Sequence, residues 1–147
     1  MCHLIVLLPT RNGLSLVFGT SFFTGTDGRW NQTNVEAFLR FTAGWRSTDG
    51  QQAPVYGFEL GEEMQPEACV HDPHCALVDG YTRFHTLLRE VWPRKTPRVM
   101  GPCVGMSVET SSNKFLNAFL NHTISTGVLD IVAVSYTHLT LPTTPYV

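Results

Sequence analysis

The stretch Val55-Tyr56-Gly57-Phe58-Glu59-Leu60-Gly61-Glu62-Glu63 opens apolar and aromatic and ends in three closely spaced carboxylates with a glycine among them. A buried strand does not finish in paired acids unless something at its end needs them. Two carboxyl groups facing one bond can hydrolyse a glycoside, one moving a proton and the other attacking the anomeric carbon. A (β/α) barrel delivers such groups from the C-terminal ends of its strands. Glu63 and its neighbour Glu62 are therefore candidate catalytic residues, weighed against a solvated pair at a strand end. Strict alternation puts Glu59, Gly61 and Glu63 on one face and Glu62 opposite, although a bulge would bring both acids to the cleft. Glu59 reads as an inward structural carboxylate paired within the barrel.

A second constellation is Cys69-Val70-His71-Asp72-Pro73-His74-Cys75. Two thiols and two imidazoles suit zinc by type, but Cys-x5-Cys with interleaved histidines matches no standard finger spacing. Asn31-Gln32-Thr33 and Asn121-His122-Thr123 carry the short N-glycosylation pattern, with coincidence as the competing reading. Arg83, Arg89, Arg94, Lys95 and Arg98 form a basic group that reads first as a solvated helix face. Trp30 and Trp45 suit helix packing better than sugar stacking.

The elements that must position these residues follow from periodicity. Leu14 to Gly19 reads as a buried strand entered from a turn at Asn12-Gly13. Val35, Phe38, Leu39, Thr42 and Trp45 fall at helical spacing over Asn31 to Trp45, with Asn31 or Thr33 as caps. The Val55 strand follows. Tyr81, Phe84, Leu87, Leu88 and Val91 define a helix over Val78 to Trp92, stopped by Pro93 and Pro97. Arg98 to Pro102 is a brief strand, Lys114 to Asn121 a shorter helix, and Val128 to Ala133 a last strand. The order is β-α-β-α-β-α-β with continuous apolar strands. That predicts a parallel sheet covered on both faces and joined by right-handed helical crossovers.

Length and composition bound the function. The 147 residues are 43% hydrophobic and 15% charged, enough for one ordinary core, and the net charge of −2 gives no pull toward nucleic acid. Leu4 to Leu8 is the longest apolar run, far short of the roughly 20 residues that span a bilayer. The start lacks the basic pattern of a secretory signal. Four cysteines, Cys2, Cys69, Cys75 and Cys103, are too few and scattered for a disulfide scaffold. No Gly-x-Gly-x-x-Gly or Walker loop follows a strand, which argues against a nucleotide-binding sheet, and no cofactor is expected.

The residues after Ala133 fit no element. Val134 to Thr143 can be written in codons as GTC TCT TAT ACA CAT CTG ACG CTG CCG ACG, which looks like the adaptor of a transposase-made sequencing library. Residues 134–147 are therefore expected to be adaptor-derived, with a native Thr/Pro-rich tail as the competing reading, and residues 1–133 to be the domain. His138 and Tyr136 are then excluded from any site.

Phe58-Glu59-Leu60-Gly61-Glu62-Glu63 resembles the Trp-Glu-Leu-Gly-Asn-Glu motif of heparanase-like enzymes, glycoside hydrolase family 79. Gly13-Leu14-Ser15-Leu16-Val17-Phe18-Gly19 is similar to the family's Gly-Leu-x-Leu-Ile-Phe-Gly strand, and Trp30-Asn31-Gln32-Thr33-Asn34 to its Trp-x-Ser-Ser-Asn helix start. Phe84-His85-Thr86-Leu87-Leu88-Arg89 resembles a Leu-His-Lys-Leu-Leu-Arg segment, and Gly101-Pro102-Cys103-Val104-Gly105 its Gly-Pro-x-Val-Gly strand end. The matches keep their order from Asn12 to Ala133.

The resemblance implies part of a (β/α)8 TIM barrel, about four β/α units near strands 3 to 6, since a whole barrel takes about 250 residues. It implies retaining hydrolysis of glucuronic-acid-containing glycans such as heparan sulfate, with Glu63 as acid/base and the nucleophile on a strand not present here. Glu62 replaces the family's asparagine, and Met64 stands where many members have proline. A glycan-binding homologue without catalysis, or an open α/β domain unrelated to sugars, is the alternative. In a secreted glycosidase a local Cys69–Cys75 disulfide is simpler than free cysteines or a metal. The expected partner is a polysaccharide. The expected location is extracellular or lysosomal, with membrane association only as a family-level inference. A partial barrel should also self-associate.

Overall fold

The computed structural model describes residues 13–22, 24–27, 29–61, 76–105 and 110–135. In chain order these form β1 (Leu16–Thr20), α1 (Thr33–Gly44), β2 (Val55–Leu60), α2 (Ala76–Val91), β3 (Arg98–Met100), β4 (Val104–Gly105), α3 (Thr110–Thr126) and β5 (Val134–Ser135). The chain is an α/β domain in which three parallel strands alternate with helices in an open sheet, ordered β1-β2-β3.

A fourth parallel partner lies along β3. Met100 bridges Ile131, and β4 pairs with β5 through Val104 with Val134 and Gly105 with Ser135. Sequence reasoning expected a strand over Val128 to Ala133, but only Ile131 pairs. The cause is Asp130, whose Oδ2 takes the Val99 N–H at 2.9 Å in place of a backbone carbonyl. Val134 and Ser135, at the head of the expected tail, form β5; the residues after Ser135 lie outside the described residues.

Each helix buries one apolar stripe, and α1 and α2 also carry a charge pair on the outer face. In α1, Val35, Leu39 and Thr42 are buried, while Glu36 and Arg40 meet at 2.8 Å outside. Its N-cap position is Gln32, between the two expected caps, and Asn31 Oδ1 accepts the Thr33 N–H at 3.1 Å. In α2, Leu77, Tyr81, Phe84, Leu87 and Leu88 point inward, and Asp79 pairs with Arg83 at 2.8 Å. Pro93 follows and cannot supply the N–H that another turn needs. α3 extends beyond the expected Lys114 to Asn121 in both directions, and buries Phe115, Phe119 and Thr123 one turn apart.

The helices reach the sheet from one side. Phe18, Phe58 and Val99 are register partners on that face. Phe38 of α1 meets Phe18 edge-on at 5.4 Å, and Trp92 packs on Phe58 at 5.5 Å. Side chains as large as Phe58, Phe84 and Leu88, fully buried, contribute about 1.5–3 kcal/mol each. The opposite face carries Val17, Gly19, Gly57, Glu59, Arg98 and Met100. Sequence reasoning expected cover on both faces. Among the described residues Val17 stays 45% exposed and Gly19 is open, because this face is less apolar than the strands as a whole suggest.

Candidate functional site at the strand ends

Parallel pairing brings the C-terminal ends of β1, β2 and β3 side by side. Thr20 is in register with Leu60, and Glu59 with Met100. Hydrogen bonds then fasten the ends together. The Thr20 hydroxyl donates to the Glu59 carbonyl at 2.7 Å, and the Gly61 N–H donates to the Thr20 carbonyl at 2.7 Å. Gly61 has φ +83°, a left-handed conformation that costs a side-chain-bearing residue roughly 1–3 kcal/mol. β2 therefore ends at Leu60, ahead of the left-handed Gly61, and Glu62 and Glu63 follow directly in sequence.

From the helix layer, Tyr81 crosses the core to the same edge. Its hydroxyl donates to the Leu60 carbonyl at 2.6 Å, with the Met100 carbonyl at 3.3 Å. One phenolic proton cannot serve both fully, so the shorter contact holds it. Burial pushes the Tyr81 pKa far up, and the nearby Glu59 carboxylate adds to that. The phenol thus stays a neutral donor. Beside it, Gly101 has φ +124°, and a Cβ there would overlap the Tyr81 oxygen. The Gly101 N–H donates to Ile131 at 2.9 Å, tying β3 to its outer neighbour.

Glu59 sits between Gly19 and Met100 on the face away from the helices, with Oε1 buried. The Glu62–Glu63 pair, Met64, and the loop with Cys69, His71, His74 and Cys75 lie outside the described residues. Among the described residues no three metal-ligating side chains cluster, and Cys103 is a free thiol.

The basic residues do not converge on this edge as one patch. Arg83 is held by Asp79, and Arg98 by Asp130 at 2.6 Å, which raises the Arg98 pKa through that hydrogen bond and the carboxylate's charge. Trp30 and Trp45 are buried in packing roles, and Trp30 stacks with Phe22 and meets Phe84 edge-on. Asn31 is exposed on the loop into α1, and Asn121 is exposed on α3.

Sequence reasoning missed Tyr81 as the tie between two strand ends. The available signal was a tyrosine on an otherwise apolar helical stripe, whose hydroxyl must find a partner when buried.

What the arrangement supplies is one fixed edge made by Thr20, Gly61 and Gly101, and the acidic pair follows Gly61 in sequence. No known family model matches the chain, and no curated protein matches it either.

Proposed function

We propose that the chain is the acid/base-bearing part of a retaining, heparanase-like glycosidase of glycoside hydrolase family 79, acting on glucuronic-acid-containing glycans. The carrying observation is the end of β2, where the left-handed Gly61, hydrogen-bonded to Thr20, is followed in sequence by Glu62-Glu63. Strands in chain order with helices on one side also suit a segment of a (β/α)8 barrel.

In this reading Glu63 protonates the leaving oxygen and then deprotonates water. A glutamate with the ordinary pKa of about 4.3 is mostly ionised at neutral pH; lifting it to roughly 6 costs the ionised form about 2.3 kcal/mol. A nucleophilic carboxylate about 5–5.5 Å away supplies part of that lift once a later strand contributes it. Glu62 supplies a second like charge, so the two acids titrate as a pair. The family's asparagine would donate and accept toward a sugar hydroxyl, whereas ionised Glu62 only accepts.

The test is the native full-length protein, recovered by reading its transcript through Ala133, assayed on aryl β-glucuronides. Glu63→Gln should lower kcat by about 10²–10⁴-fold, most for poor leaving groups that need a proton. Equal loss across leaving groups refutes the acid/base role. Saturable glycan binding with no turnover supports the second reading, a glycan-binding homologue, which the Glu62 replacement favours.

A further inference from the structure

The two Asn-x-Thr tripeptides are presented in opposite ways. Asn31 and Thr33 are both exposed, and Asn31 Oδ1 accepts the Thr33 N–H at 3.1 Å. This Asx-turn leaves the Asn31 Nδ2 and the Thr33 hydroxyl on the outside of the chain. The turn is anchored from behind by Trp30, which is buried and bridged to Thr24. Asn121 is also exposed, but it lies within α3, where residues two apart point to nearly opposite sides. Thr123 is accordingly 0% exposed, and its hydroxyl donates to the Phe119 carbonyl at 2.9 Å.

We propose that Asn31 is an N-glycosylation site of the folded chain and that Asn121 is not. In the transfer, Asn31 Nδ2 attacks the anomeric carbon of a lipid-pyrophosphate-linked oligosaccharide. The new C–N bond forms as the C–O bond to pyrophosphate breaks; the lipid pyrophosphate leaves with the electron pair, and Nδ2 releases one proton. The enzyme recognises the acceptor amide together with the hydroxyl two residues on. At Asn31 both are offered at once in a turn already formed. At Asn121 the hydroxyl becomes available only if α3 opens and Thr123 leaves the core.

The location has a consequence for the strand-end site. Asn31 lies on the connection from the C-terminal end of β1 to α1, along the same sheet edge as Gly61 and Gly101. Asn121 is on the last turns of α3. A glycan on Asn31 would stand beside the strand ends. The assignment of Asn31 does not depend on the glycosidase reading.

The experiment presents the folded 147-residue chain to a purified single-subunit oligosaccharyltransferase of eukaryotic acceptor specificity with lipid-linked oligosaccharide. Occupancy is read by peptide mass spectrometry. Short peptides around each asparagine serve as unfolded acceptors and are both modified. In the folded chain, modification at Asn31 should outrun that at Asn121 by about tenfold or more. Asn31→Gln should abolish it, and Asn121→Gln should leave it unchanged. Comparable rates at the two sites in the folded chain, or an Asn31 that is modified only in its peptide, would overturn the proposal.

Discussion

The Tyr81 hydroxyl and the Leu60 carbonyl are joined by a 2.6 Å hydrogen bond that runs from the middle of a helix to the last residue of a strand. Removing the hydroxyl leaves a buried carbonyl without that donor, at a cost of about 1–3 kcal/mol. Tyr81→Phe should therefore lower the urea midpoint with little change in slope. It should also speed amide exchange at Gly61, whose N–H is fixed on the same edge.

Gly101→Ala should be much more damaging, because its Cβ would run into the Tyr81 oxygen and its φ disfavours any side chain. Adding Tyr81→Phe removes the clashing atom but leaves the ring carbon 3.0 Å away and the backbone strain. The double variant should recover part of the stability lost by Gly101→Ala. A double-mutant cycle from denaturant unfolding measures this, and strict additivity would count against the contact.

Asp130 replaces a ladder carbonyl for Val99 and holds Arg98 at the surface. Asp130→Ala should cost about 1.5–3 kcal/mol through the Val99 hydrogen bond to a charged acceptor. Asp130→Asn keeps an acceptor there and should cost less. Arg98→Met should change little, since its partner contact is exposed. Urea unfolding of the three variants separates these contributions.

His85 has its pKa lowered from 6.5, chiefly by burial and then by the Arg89 cation, with Asp130 pulling the other way. The unfolded chain then binds more protons than the folded one between the two values. Stability contributed by neutral His85 is complete above about pH 6.5 and falls as the pH drops toward the folded value. The melting temperature should decline on acidification through this window. His85→Gln should shrink the decline, and Asp130→Ala should enlarge it. An unchanged pH dependence in His85→Gln would remove His85 from this account.

Val17 is 45% exposed on β1, an edge strand among the described residues, and Leu14 before it is 59% exposed. Apolar side chains beside unpaired backbone groups favour strand addition from another molecule. The chain should associate as its concentration rises, and Val17→Lys should weaken that association. Sedimentation velocity over a concentration series checks both statements.

Much of the layer plan was legible because the stripes are regular. Tyr81, Phe84, Leu87 and Leu88 fall at helical spacing, and α2 begins and ends close to where periodicity placed it. The bounds of α3 were not legible. The expected helix stops at Asn121, yet Thr123 and Thr126 turn their hydroxyls back onto the carbonyls of Phe119 and His122 and so fit a helix. Asp130 defeated the last strand for a related reason, a side chain doing the work of a backbone group. At the candidate site, the expected strand runs on to Glu63, whereas β2 stops at Leu60, ahead of the left-handed Gly61. The Tyr81 tie was not legible, because a hydrogen bond between elements leaves no period in the sequence.

The strand order β1-β2-β3 follows the order of synthesis, and the Ile131 bridge continues it. Each strand can therefore dock on a neighbour that has already left the ribosome, without waiting for a distant segment. Such vectorial assembly keeps loop-closure distances short and limits the time an open edge stays available to other chains.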